Sequence, residues 1–278
     1  MNIDIQNVLL LTQKEMLDAG RNRWFILFTL VFTGLSLALS WMGLSGVGQY
    51  GLSGFGRTTA SMINMVLLIV PLMGLTLGAI SLAGERERGT LLYLLAQPLS
   101  SLEVLLGKYL GVALSLLSAL VLGFGVSGFL IAWYGGTTAV GQYLTLIGLT
   151  FLLALVSLGV GVLISTALPR ADAAVGISLF VWLALVFFGD LGVMGTALTL
   201  KLGIHQLFAL SLINPLQVFK LAAVLTLQGN LEVLGPVGVY AMRTYGAQLL
   251  PLLVGLLILW IGVTFFIADR IFKRRGAL

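Results

Sequence analysis

Where this chain lacks charge limits its fold more than any other feature. Residues 24–56 carry no Asp, Glu, Lys or Arg, and neither do 58–84, 109–169, 173–189 or 244–268. A helix needs about 20 apolar residues to cross the hydrocarbon core, and an unpaired charge at its centre costs about 2.5–3.5 kcal/mol on insertion. The gaps therefore read as membrane spans. Composition agrees: 9% of the 278 residues are charged and 59% are hydrophobic, against about 25% charged in an ordinary soluble domain. So little polar surface excludes a soluble enzyme, and the hydrophobicity excludes a disordered chain. The net charge of +5 is not gathered into one basic patch, so nucleic acid is not expected as a partner. With no Cys, disulfides, iron–sulfur clusters and thiolate zinc sites are excluded.

The chain reads as an all-α integral membrane protein, one transmembrane domain over residues 1–278 with six spans. The first gap holds a span near Trp24 to Met42, followed by a Gly-rich loop from Gly43 to Gly56. The second holds one near Thr59 to Ala83. Residues 109–169 are too long for one span and hold two, hinged at Trp133 to Thr138. The fifth span covers 173–189 and the sixth runs from Ala247 to Ala268. Between them, residues 190–246 are apolar only in patches, broken by Asn214, Pro215, Lys220, Glu232 and Pro236. Short interfacial or re-entrant helices on the outer side are expected there, because broken backbone at membrane depth must be sheltered by protein.

Both chain ends are basic, which favours an even span count with both termini in the cytoplasm. On that topology eleven Lys and Arg lie inside and four (Arg57, Lys201, Lys220 and Arg243) lie outside, as the positive-inside rule requires. The first span follows a 23-residue polar lead and is too long for the h-region of a cleaved signal.

Two segments carry more charge pattern than topology needs. In the lead, residues 1–22, Asp4, Asn7, Lys14, Glu15 and Asp18 share one helical stripe and Ile5, Val8, Leu9 and Met16 lie opposite. This predicts a helix in the plane of the membrane surface, either a plain anchor or a partner contact. At 85–98, Glu85, Arg86, Glu87 and Arg88 alternate in sign. Gly89 and Thr90 then lead into a short apolar helix with Leu91, Leu94 and Leu95 on one face, which Pro98 stops. Arginines alone would satisfy topology; the paired glutamates favour docking to a soluble partner.

The run GERERGTLLYLLAQPLSSLEVLLGKYLG resembles the signature of ABC-2 type permeases, in which an acidic–basic cluster, Gly-Thr, an apolar helix and Gln-Pro precede a Gly-Lys opening the third span. TQKEMLDAGRNRW is similar to that family's elbow helix, and INPLQVFK to its Asn-Pro segment before the last span. Within the family the chain looks most like the NosY-type permeases, which belong to systems maturing the copper centres of nitrous-oxide reductase. The resemblance implies two permease copies working with two copies of a separate cytoplasmic ATPase, which carries the ATP and Mg, in a bacterial inner membrane. It assigns Glu85, Arg86, Glu87, Arg88 and the following helix to the coupling segment, and Lys14 and Glu15 to the elbow. It places spans two and five at the dimer interface. No cofactor, metal or catalytic group is implied in this chain. It has no G-x-x-x-x-G-K-[ST]; Gly107-Lys108 is followed by Tyr109.

Other matches carry little. Gly46-x-Gly48-x-x-Gly51 has no strand before it and reads as loop flexibility. Gly74-x-x-x-Gly78 fits either chance or a dimer seam, and Pro71 should kink the second span. Met62, Met65 and Met73 could ligate Cu(I) but serve as packing more often, and His205 has no second ligand nearby. The spans hold no intramembrane ionisable group to mark a proton or ion path, which argues against an ion-coupled carrier acting alone. The expected function is a permease subunit moving a small species, sulfur cargo included, or relaying force to a periplasmic partner in copper-site maturation. A generic ABC-2 exporter of drug, lipid or polysaccharide and a non-transporting scaffold are the alternatives.

Overall fold

The computed structural model describes residues 4–50, 52–135, 140–199, 203–228, 231 and 234–275, and no strand occurs among them. The helices are α1 (Ile5–Arg21), α2 (Arg23–Tyr50), α3 (Leu52–Glu87), α4 (Thr90–Leu95), α5 (Ser101–Gly135), α6 (Val140–Ala167), α7 (Ala171–Thr199), α8 (Ile204–Ile213), α9 (Pro215–Gln228), α10 (Pro236–Tyr245) and α11 (Leu249–Arg275). Six helical segments among the described residues are long and apolar enough to cross a membrane: Arg23–Met42, Ser61–Glu87, Ser101–Leu130, Gly141–Ala167, Ala171–Gly189 and Pro236–Arg274. They fall where the charge gaps put them. In hydrocarbon every backbone N–H and C=O must bond within its own segment, so uncharged stretches run as helices.

The stretch read as a Gly-rich loop is helical where the structure describes it. α2 continues through Gly43, Gly46 and Gly48 to Tyr50, and α3 resumes at Leu52. Gly51 lies outside the described residues. A glycine costs a helix about 1 kcal/mol relative to alanine, less than leaving backbone groups unbonded near the bilayer. Likewise α7 continues through residues 190–199, so the irregular segment starts after Thr199. That segment is built from short helices, as expected. α8 and α9 meet at 109°. Asn214 makes the corner: its Oδ1 accepts the Leu216 N–H at 2.9 Å and its Nδ2 donates to Leu185 O at 2.7 Å. Pro215 takes the first helical position, where a missing N–H costs nothing. α9 then runs into the protein, burying Val218, Phe219, Ala222 and Ala223 against α3, α6 and α11.

The most extensive seam joins α3 to α6. Gly74 and Gly78 permit it. A Cβ on Gly74 would lie 2.9 Å from Ala154 O, and one on Gly78 would lie 2.7 Å from Leu158 O and 2.8 Å from Val162 N. The Gly74-x-x-x-Gly78 motif therefore serves a seam inside the chain. Gly78→Leu is expected to cost about 1–3 kcal/mol or more through overpacking, read as a lower unfolding temperature in detergent. Gly34→Leu, where a Cβ meets nothing within 4 Å, should leave that temperature nearly unchanged. Met65 and Met73 are buried in the same core, with Val66, Val70 and Leu77, and Met62 is buried as well. Helix α3 runs through Pro71 as helix. His205 is exposed at the start of α8.

Candidate functional site

Lys14, Glu15 and Glu85 from the sequence reading converge at the end of the bundle where α1 crosses α5. Close approach is possible because α5 presents Gly107 and Gly111 one turn apart. A Cβ on either would lie 2.5 Å from the Cβ of Leu11 or of Glu15 respectively. Thr12 Oγ1 donates to Val8 O at 2.8 Å and to Gly107 O at 3.3 Å. A capping box starts α5: Glu103 Oε2 accepts the Ser100 N–H at 2.7 Å and Ser100 Oγ accepts the Glu103 N–H at 3.2 Å. The other Glu103 oxygen accepts the Asp4 N–H at 2.7 Å, which ties the start of the elbow to the same helix end.

The elbow differs from a simple amphipathic helix. Val8, Leu11, Ala19 and Glu15 are buried, while Ile5, Leu9, Leu10 and Leu17 are exposed. Helix α1 thus has an apolar face toward α5, another toward its surroundings, and one carboxylate turned inward.

Glu15 turns inward to meet Lys108. The Lys108 side chain is 1% exposed, and its Nζ lies 2.7 Å from Glu15 Oε1, 2.8 Å from Glu85 Oε1 and 3.3 Å from Ser81 O. All three ammonium protons have acceptors. Lys14 Nζ closes the cluster from the surface, 2.9 Å from Glu85 Oε1, 3.4 Å from Glu15 Oε1 and 3.9 Å from Asp18 Oδ2. Isolated burial of such an ammonium would cost several kcal/mol, which explains why two carboxylates accompany it. Burial works against the charge on Lys14, but the hydrogen bond and attraction of Glu85, with Glu15 behind them, outweigh it and hold its pKa above the ordinary 10.5. The stabilisation from Lys14 is therefore fully present below pH 10.5 and is lost only as pH rises past its raised value.

The alternating charges of 85–88 each have a different job. Glu85 belongs to the lysine cluster. Arg86 Nη1 donates to Leu168 O at 2.9 Å, at the close of α6. Glu87 Oε2 accepts the Ala171 N–H at 2.8 Å, capping the first turn of α7. Arg88 Nε turns back to Gly84 O at 3.0 Å, and Thr90 Oγ1 to Glu85 O at 3.2 Å. Just above them, Ser165 Oγ of α6 accepts the N–H groups of Leu82 at 3.0 Å and Ala83 at 2.8 Å.

The segment read as one unit over 85–98 is two. Glu85 to Glu87 form the last turn of α3, and Gly89, at φ +72°, reverses the chain into α4. Left-handed backbone at that point favours glycine, which has no Cβ to clash. In α4, Leu91 is fully buried and Leu94 half-buried; the side chain of Leu95 lies outside the described residues. Leu92 and Tyr93 are 60% and 79% exposed, and Pro98 is exposed beyond them. Sequence reasoning singled out Glu85, Glu87, Lys14 and Glu15 and missed Lys108, Ser165, Leu92 and Tyr93. The available signal for Lys108 was its position seven residues into a span, where a lysine requires acceptors. Spans two and five also differ in exposure. The span Ser61–Glu87 of α3 is mostly buried in its own chain, leaving Asn64 and Leu68 exposed, whereas the span Ala171–Gly189 of α7 is little buried and exposes Phe180, Phe187 and Phe188.

Comparison with known proteins shows the family to which the chain belongs. The family model described as ABC-2 family transporter protein matches residues 9–277. The chain is 31% identical over 271 residues to the probable ABC transporter permease protein NosY of Stutzerimonas stutzeri, covering 95% of this chain and 97% of that protein. It is 30% identical over 271 residues to the probable ABC transporter permease protein NosY of Pseudomonas aeruginosa, with the same coverage. A six-span helical bundle, matched by the family model and by these relatives over nearly its whole length, makes this chain a member of the ABC-2 family of transporter permeases.

Proposed function

We propose that this permease subunit receives mechanical work from a separate cytoplasmic ATPase through α4 and the last turn of α3. The observation that carries this reading is the set of bonds made by residues 85–87: Glu85 to α1 and α5, Arg86 to the end of α6, and Glu87 to the start of α7. A displacement of this turn is felt by four other helices, while Leu92 and Tyr93 remain exposed for a partner. ATP and Mg belong to the ATPase, present in two copies with two copies of this chain, and the elbow end faces the cytoplasm of a bacterial inner membrane. Likeness to NosY proteins supports a role in copper-site maturation of nitrous-oxide reductase, by export of a small species or by force transfer to a periplasmic partner.

Glu87→Ala tests the reading. It removes the α7 cap, worth about 1 kcal/mol, and leaves α4 in place. The ATPase should still co-purify with the variant in detergent, while reductase maturation in cells falls severalfold. Loss of co-purification, or full maturation by the variant, would contradict force transmission through this turn. Glu85→Ala is a poorer test of docking, because it also strips a carboxylate from buried Lys108.

A further inference from the structure

An open cavity of about 420 Å³ lies between the elbow, the end of α3 and α5. Its walls are of two kinds. Toward the elbow it carries both signs of charge, with Asp18 and Glu85 on one hand and Arg21 and Arg88 on the other. Along α3 it becomes apolar at Ile80 and Leu77, with Val112 of α5 opposite. Leu77 lies about 12 Å of helix further into the span than Glu85. Polar rim and apolar wall thus follow the same direction as headgroup and acyl chain in a bilayer leaflet.

Glu85 supplies an acceptor that the cluster leaves over. Its side chain is 10% exposed, its Oε1 is taken by the two lysines, and its buried Oε2 has no hydrogen-bond partner among the described residues. A buried carboxylate oxygen needs a donor. An anionic lipid such as phosphatidylglycerol supplies phosphate for the arginines and neutral hydroxyls, but no cation to set against Glu85 and Asp18. A basic side chain from a soluble partner supplies the donor but must enter past Arg21 and Arg88. A zwitterionic headgroup with a primary ammonium satisfies both.

We propose that this cavity binds the phosphoethanolamine headgroup of a membrane phospholipid. The ammonium is directed to Glu85 and Asp18, the phosphate to Arg21 and Arg88, and the first acyl methylenes lie along Ile80 and Leu77. The bound lipid fills the space between the elbow and the end of α3, beside the turn that carries the coupling contacts.

The test uses the full chain in nanodiscs of equal dioleoyl phosphatidylethanolamine, phosphatidylcholine and phosphatidylglycerol, released into mild detergent for native mass spectrometry. Phosphatidylethanolamine should be retained at least about tenfold over phosphatidylcholine, whose quaternary ammonium has no N–H to donate. Arg21→Ala and Asp18→Asn, both at exposed positions, and Ile80→Trp, which fills the apolar wall, should each reduce that retention. Equal retention of the three lipids, preference for phosphatidylglycerol, or retention unchanged in all three variants overturns the assignment. So does binding of free glycerophosphoethanolamine as tight as that of the lipid, since the apolar wall would then contribute nothing. If no lipid is preferred and Asp18→Asn instead weakens ATPase co-purification, the cavity belongs to a basic side chain of the soluble partner.

Discussion

Replacing Lys108 with methionine is expected to destabilise the elbow end by about 3–5 kcal/mol, the usual cost of breaking a buried ion pair from one side. Glu15 and Glu85 both lie within 2.8 Å of the Lys108 ammonium, and each carboxylate side chain is 10% exposed. Without Lys108 two carboxylates would face each other with only Lys14, itself 47% exposed, to share. The measurement is denaturant unfolding in detergent, with proteolysis of the elbow as a local readout. Charge, rather than bulk, is the quantity under test. The triple variant Lys108→Met, Glu15→Gln, Glu85→Gln should recover most of the loss, because hydrophobic or neutral replacement of a whole buried ion cluster is often neutral or better. If Lys108→Met alone were as stable as the parent, or the triple variant no better than the single, the cluster would not hold α1 to α5.

The double substitution Leu92→Ala, Tyr93→Ala is expected to weaken association with the ATPase by about thirtyfold or more, as when about 2 kcal/mol is lost with an interface anchor. Both side chains are exposed on α4, so the chain should still fold and insert. An unchanged unfolding midpoint together with weaker co-purification is the expected pair of results. Leu91→Ala separates the roles: Leu91 is 1% exposed, and its truncation should lower stability by about 2–5 kcal/mol through a core cavity. Full association by the double variant would move the docking surface away from α4.

The charged segment 85–88 makes its observed contacts within the chain. Glu85 and Glu87 were singled out because they exceed what topology needs, and that excess is real. Within the chain Glu85 answers Lys108 and Lys14, and Glu87 caps α7. The exposed side chains of α4 are those of Leu92 and Tyr93, which look unremarkable in an apolar run. Helical periodicity put Leu91, Leu94 and Leu95 on one face. The reversal at Gly89 turns α4 so that Leu91 enters the core with Leu94 half-buried, while Leu92 and Tyr93 remain outside. The glycine motif in α3 shows the same limit: Gly74 and Gly78 signal close approach, but only the position of α6 says which helix approaches.

Where the spans lie was readable along the chain, because excluding a charge from hydrocarbon is a cost each residue pays in its own place, with no knowledge of its neighbours. The break before Asn214-Pro215 was readable for the same reason, since it follows from local backbone chemistry. Which charges are paired with which was not. Lys14 meets Glu85 across 71 positions and Lys108 meets Glu15 across 93. Contacts of that kind depend on how α1 settles on the glycines of α5, so they exist only once the helices have packed.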